Sequence, residues 1–217
     1  MPNICRVVVL ISGSGSNLQA LIDGQKDRSL LINIQAVISN KPDVKGLSRA
    51  EKAGIATEVL DHRHFETRDS FDMELAQTID QYEPDLIILA GFMRILTPEF
   101  VRRYQGKMLN IHPSLLPKYQ GLHTHRRVIE SGDSIHGVTV HFVTEELDGG
   151  PPVIQAVIPV FEDDTEEVLA TRVQTQEHNI YPMAVGWFAN GRLAMRDGQA
   201  WLDGEQLPEG GRQIRQL

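Results

Sequence analysis

Asn110, His112 and Asp148 are the residues of this chain whose types and spacing best suit chemistry. The first two stand two apart in Asn110-Ile111-His112-Pro113-Ser114-Leu115-Leu116-Pro117, and the third opens Asp148-Gly149-Gly150. In an extended segment residues two apart project from one face. Asn110 and His112 therefore point one way, and Ile111 turns toward a core. Pro113 disfavours helix for His112 and turns the chain away. An amide, an imidazole and a carboxylate at strand ends suit a reaction that builds negative charge on an oxygen and moves a proton from a nitrogen. A carboxylate beside an imidazole stabilises the imidazolium. An imidazolium and an amide aimed at one oxygen form an oxyanion site in which each donor contributes about 3–4 kcal/mol. The carboxylate is also placed to take a proton, directly or through one water.

Alternating strands and helices must position these groups. Arg6–Ile11 and Asp85–Ala90 read as buried parallel strands, with Leu30–Ser39, Ala56–Leu60 and Lys107–His112 as further strands. Helices are expected over Leu18–Lys26, Asp43–Ala53, Phe65–Tyr82 and Pro98–Tyr104. This alternation predicts an α/β fold, a mostly parallel Rossmann-like central sheet with helices on both faces. The pattern then changes. His123–Ser131 reads as helix, Gly137–Thr144 and Val153–Val160 as antiparallel additions to the sheet, and Glu166–Phe188 as a long helix. Arg192–Met195 and Ala200–Leu202 are short strands between turn signals. With no repeat, linker or low-complexity tract, residues 1–217 are expected to form a single domain.

Two segments suggest ligands. Ser12-Gly13-Ser14-Gly15-Ser16-Asn17 follows a strand and opens a helix, a context in which backbone N–H groups and the helix end bind an anion. It lacks the third glycine of a dinucleotide fingerprint and the Lys-Ser/Thr of a P-loop, so a monophosphate fits better than NAD or ATP; an ordinary tight turn is the alternative. Gly91-Phe92-Met93-Arg94-Ile95-Leu96 follows another strand, where open α/β sheets bind ligands. An apolar loop with one arginine suits the wall of a slot for a flat heterocycle; simple packing is the alternative.

The 217 residues are 41 % apolar, enough for a core, and carry a net charge of −8, which argues against nucleic-acid binding. Cys5 is the single cysteine and reads as a buried structural thiol in a reducing compartment. No apolar run reaches the roughly 20 residues that span a bilayer, and no signal peptide is read; the expected location is the cytoplasm. His123, His125 and His141 raise the question of a metal, but no acidic residue or thiolate adjoins them and none is expected. Ser114 lacks the elbow motif of a nucleophile. Glu162-Asp163-Asp164 reads as a solvated helix start.

The motifs Ser12–Asn17, Met93–Leu96, Asn110–Pro117 and Asp148-Gly149-Gly150 together resemble the phosphoribosylglycinamide formyltransferase family, nearly end to end. The pairing of Asn-x-His-Pro-Ser-Leu-Leu-Pro with Leu-Asp-Gly-Gly is characteristic of folate formyltransferases, and the Gly-Ser-Asn loop narrows it. The resemblance implies a formyltransferase fold and formyl transfer from 10-formyltetrahydrofolate to glycinamide ribonucleotide in purine synthesis, without metal. It implies catalytic roles for Asn110, His112 and Asp148. It places the substrate phosphate on Gly15, Ser16 and Asn17 and the amine-bearing end near Glu177. It places folate against Met93, Arg94, Ile95 and Leu96, with Arg68 near its glutamate tail and Val143, Thr144, Glu145, Glu146 and Leu147 closing over the pterin. A departure from the family pattern is Pro151-Pro152, where an aliphatic is expected after the first proline. The lost N–H leaves the strand pairing beside Asp148 open.

Competing readings remain at this level. A transfer-RNA formyltransferase carries a further C-terminal domain, and a formyltetrahydrofolate hydrolase a regulatory N-terminal one; neither is expected here. A non-catalytic folate or nucleotide binder does not need the three polar groups together. A nicotinamide-dependent reductase wants an acidic residue where Ser39-Asn40 stands. Monomer and homodimer are both open.

Overall fold

The computed structural model describes residues 4–215, so both ends of the expected 1–217 span lie outside the described residues. The chain divides into two compact units, Met1–Leu109 and Asn110–Leu217.

The first unit contains β1 (Cys5–Ile11), α1 (Ser16–Lys26), β2 (Ile32–Ser39), α2 (Lys45–Lys52), β3 (Ala56–Val59), a 3₁₀ turn (His62–His64), α3 (Arg68–Asp80), β4 (Leu86–Leu89) and α4 (Pro98–Arg103). Its strands run parallel in the spatial order β3-β2-β1-β4. Val7 to Ile11 have no solvent exposure, as a central strand covered on both faces requires. Because β2 lies on one side of β1 and β4 on the other, the loops after these three strands leave the same carboxyl edge, where such sheets bind ligands.

The helix expected from Phe65 begins at Arg68. Thr67 accepts from the Ser70 N–H at 3.0 Å, and the Ser70 hydroxyl answers at the Thr67 backbone, a capping box that fixes the start. Phe65 stays outside the helix and packs edge-on against Phe71, with ring centroids 5.3 Å apart.

β5 (Met108–His112) runs across the division and ends in the second unit. There follow α5 (Thr124–Ser131), β6 (Ile135–Phe142), β7 (Pro152–Pro159), α6 (Glu166–Ala189), β8 (Leu193–Arg196), β9 (Gln199–Leu202), β10 (Glu205–Gln206) and β11 (Arg212–Arg215). The expected antiparallel addition is the β6–β7 pair. β8, β9 and β10 form a separate antiparallel ribbon. The sequence gives no warning of β11, which pairs parallel with β7 through Arg212 opposite Ile154; its residues lack an apolar alternation.

Pro152 opens β7 opposite His141, and the register slips between Val140 and His141. A strand start beside a bulge is where a missing N–H is tolerated. Phe142 still donates to the Pro151 carbonyl at 3.1 Å, so pairing resumes there. The acidic run before α6 is not wholly solvated: the side chain of Asp164 is buried, pairs with Arg172 at 2.6 Å and accepts from the Phe161 N–H at 2.9 Å. Among the described residues no helix is long and apolar enough to cross a membrane.

Candidate active site

β5 delivers Asn110 and His112, and the turn after β6 delivers Asp148, all in the second unit. His112 Nδ1 lies 3.5 Å from Asp148 Oδ2. The same oxygen accepts the Gly121 N–H at 2.9 Å, which fixes the carboxylate from the backbone. The other ring nitrogen, His112 Nε2, donates to the Tyr119 carbonyl at 2.9 Å. The His112 ring therefore faces an acceptor on each side, the Asp148 carboxylate and the Tyr119 carbonyl.

Asn110 is not isolated. Its Nδ2 lies 3.1 Å from His141 Nε2, while His141 Nδ1 lies 2.9 Å from the Phe142 carbonyl. Nδ1 therefore carries the proton, and Nε2 accepts from the Asn110 amide. This also fixes which end of that amide faces the histidine. His141 Nε2 is 3.9 Å from Asp148 Oδ1. Proximity alone would suggest an ion pair, but burial pushes the His141 imidazole well below its ordinary value, against opposing pulls from the Phe142 carbonyl and Asp148. His141 is thus a neutral spacer that bridges Asn110 and Asp148, a role that sequence reading missed by grouping it with His123 and His125.

Those two histidines go elsewhere. His123 stands at the start of α5 in left-handed backbone, and His125 Nδ1 meets His136 Nε2 at 3.0 Å. Burial pushes His136 down to about 3 and lowers His125 as well.

The turn bearing Asp148 is built for close approach. Asp148 itself has φ 51°, sparsely populated for a residue with a side chain. A Cβ at Gly150 would lie 1.8 Å from the Phe142 carbonyl oxygen, so only glycine fits there. The segment after β5 is pinned from beneath. Thr139 Oγ1 donates to the Ser114 carbonyl at 2.7 Å and accepts from the Leu116 N–H at 3.1 Å, and Gln155 donates to the Leu116 carbonyl at 2.8 Å. Ser114 is buried with its hydroxyl on the Lys118 carbonyl, a structural post.

In the first unit, Gly15 takes the left-handed N-cap position of α1 (φ 70°), and a Cβ there would lie 2.7 Å from Gly46 Cα. α1 has no side-chain cap and no acidic residue in its first turn, which suits an anion at Gly15, Ser16 and Asn17. The Met93–Leu96 loop presents Met93 and Ile95 to solvent and buries Leu96. Arg94 Cζ lies 4.3 Å over the Phe71 ring. The Met93 N–H donates to Ser12 Oγ at 2.8 Å, so the two ligand-suited loops of this unit touch. Arg68 opens α3, exposed, within electrostatic reach of Asp72. In the second unit Glu177 is half-buried on α6, and Val143 and Thr144 lead into exposed Glu145, Glu146 and Leu147.

A family model described as "Formyl transferase" matches residues 5–185. The chain belongs to the formyl transferase family. The match takes in the Gly-rich loop, the Met93–Leu96 loop, the Asn110–Asp148 cluster and most of α6. Within this family the chain is 58 % identical over 205 residues to the phosphoribosylglycinamide formyltransferase of Escherichia coli, covering 94 % of this chain and 97 % of that one. It is 46 % identical over 190 residues to the human trifunctional purine biosynthetic protein adenosine-3, covering 88 % of this chain and 19 % of that protein. The solved phosphoribosylglycinamide formyltransferase of Coxiella burnetii superposes with a TM-score of 0.93 at 50 % identity, over 98 % of this chain and all of that one. The mostly parallel α/β sheet with antiparallel additions is the architecture shared with that formyltransferase structure.

Proposed function

We propose that this protein transfers the formyl group of 10-formyltetrahydrofolate to the amine of glycinamide ribonucleotide, as a cytoplasmic enzyme of purine synthesis and one-carbon metabolism. The near full-length likeness to an enzyme of that name supports the reaction. The observation that carries the chemistry is the buried His112–Asp148 pair, with Asn110 held beside it by neutral His141.

In this reading Gly15, Ser16 and Asn17 hold the ribonucleotide phosphate, and Glu177 holds its amine-bearing end. Met93, Arg94, Ile95, Leu96 and Arg68 hold the folate, and Val143 to Leu147 cover it. As the amine attacks the formyl carbon, negative charge builds on the formyl oxygen. Asn110 and His112 donate to that oxygen. For His112 this exchanges the Tyr119 carbonyl, its present partner, for a developing oxyanion, the stronger acceptor. Asp148 keeps His112 charged and helps carry the amine proton toward the departing folate nitrogen, giving formylglycinamide ribonucleotide and tetrahydrofolate.

The test is tetrahydrofolate release from 10-formyltetrahydrofolate, followed by absorbance with and without glycinamide ribonucleotide. Release that requires the ribonucleotide is the expected result. Release without it would make the protein a hydrolase. Binding of both ligands with no release would make it a binding protein.

A further inference from the structure

The loop after β4 is fastened at both ends by buried side chains from distant parts of the first unit. At one end the Met93 N–H donates to Ser12 Oγ at 2.8 Å, and the Ser12 hydroxyl donates to Asn40 Oδ1 at 2.5 Å. At the other end the Thr97 N–H donates to Asp72 Oδ2 at 2.6 Å. Ser12, Asn40, Asp72 and Thr97 are all buried. Between the anchors Arg94 rests on the face of Phe71, the neighbour of Asp72 on α3.

What this holds in place is unusual for a loop. Met93 is 61 % exposed and Ile95 53 % exposed, both apolar and both without a covering element in their own unit. Apolar side chains on a loop whose ends are already fixed present a preorganised surface, and a ligand that covers it loses little to ordering. Asp72 is an expensive way to secure this. Its Oδ1 is buried with no partner, and burial raises its carboxyl against the opposing pull of the Thr97 N–H, Arg94 and Arg68. A buried carboxylate satisfied at one oxygen is costly to stability; what Asp72 supplies in return is the Thr97 anchor.

We propose that Asp72 and Ser12 are positioning residues that hold residues 93–97 as a preformed wall for the folate and so set folate affinity without touching the reacting atoms. The inference rests on the folate reading of that loop. Asp72 is the cleaner probe, because Ser12 also begins the loop assigned to the phosphate.

The experiment titrates tetrahydrofolate and glycinamide ribonucleotide separately into wild type, Asp72→Ala and Asp72→Asn, with steady-state kinetics and amide hydrogen exchange over 93–97. Asp72→Ala is expected to weaken tetrahydrofolate binding about tenfold, from loss of one buried acceptor. It should leave ribonucleotide affinity and kcat at saturating folate within about threefold, and speed exchange at Thr97. Asp72→Asn keeps an oxygen for the Thr97 N–H and should restore folate affinity to within about threefold of wild type. It also serves as the folded reference if the alanine variant is unstable. Unchanged folate affinity in Asp72→Ala, or an Asn variant as weak as Ala, would overturn the inference alone. A wild type that binds no tetrahydrofolate would overturn the functional reading, and this inference with it.

Discussion

His112 Nδ1 and Asp148 Oδ2 face one another at 3.5 Å with side chains only 9 % and 8 % exposed. At that distance the two groups face one another in electrostatic contact, beyond an ordinary hydrogen bond. The Gly121 N–H and the Tyr119 carbonyl hold the two partners in orientation. Removing one member of a buried pair leaves the other without its partner, so single substitutions here act on more than the side chain replaced.

His141 sets the direction of the Asn110 amide without itself ionising. His141→Ala should lower kcat about tenfold while KM for both substrates stays within about threefold, since the lost interaction matters as charge develops. A rise in KM with kcat unchanged would show that His141 serves ground-state binding instead. Steady-state kinetics decides.

Gly150 has no room for a side chain against the Phe142 carbonyl. Gly150→Ala should destabilise the fold by about 3 kcal/mol, through displacement of backbone rather than of a flexible side chain. A urea midpoint equal to wild type would mean that the turn relaxes freely and that the position of Asp148 is less constrained than the geometry implies.

Thr139 is a three-way junction: Ser114 carbonyl, Leu116 N–H and the Gln155 amide. Thr139→Val keeps the volume and removes the junction. It should cost about 2–4 kcal/mol, because the buried partners lose their bonds together. Denaturant unfolding measures this, and a loss under 0.5 kcal/mol, on the order of a surface substitution, would contradict it.

Acid should weaken the protein before carboxylates titrate. His136 has an ordinary value of 6.5 that burial lowers to about 3, and His125 and His141 shift the same way. The unfolded chain therefore binds protons that the folded chain refuses. Stability is full above about pH 6.5 and is lost as the pH falls from there toward 3. His136 alone should contribute a loss of about 2 kcal/mol between pH 6.5 and 5. Urea unfolding at the two pH values measures it, and His136→Gln should flatten the dependence.

Much of this was legible in the sequence, and the rest was hidden for physical reasons. Period-two alternation puts Asn110 and His112 on one face, and an Asp-Gly-Gly turn announces a carboxylate in tight backbone, so each group can be read locally, while the meeting of His112 with Asp148, 36 positions on, depends on the fold. His141 cannot be read that way: it lies 31 positions from Asn110, and only strand pairing brings it there. The anchors of the 93–97 loop are as remote, Ser12 at 81 positions from Met93 and Asp72 at 25 from Thr97. Helix α3 starts late because the Thr67–Ser70 capping box outweighs the apolar periodicity that begins at Phe65. β11 is held by its ladder to β7 and not by its own composition.

The central claim, that the His112–Asp148 pair drives transfer, is tested most directly by single-turnover formyl transfer in Asp148→Asn, alongside equilibrium binding of each substrate. Asparagine preserves the shape and an acceptor for the Gly121 N–H but removes the carboxylate charge that faces His112. The account predicts a transfer rate lower by about 10²–10³-fold with both dissociation constants nearly unchanged. A rate within about threefold of wild type would contradict it.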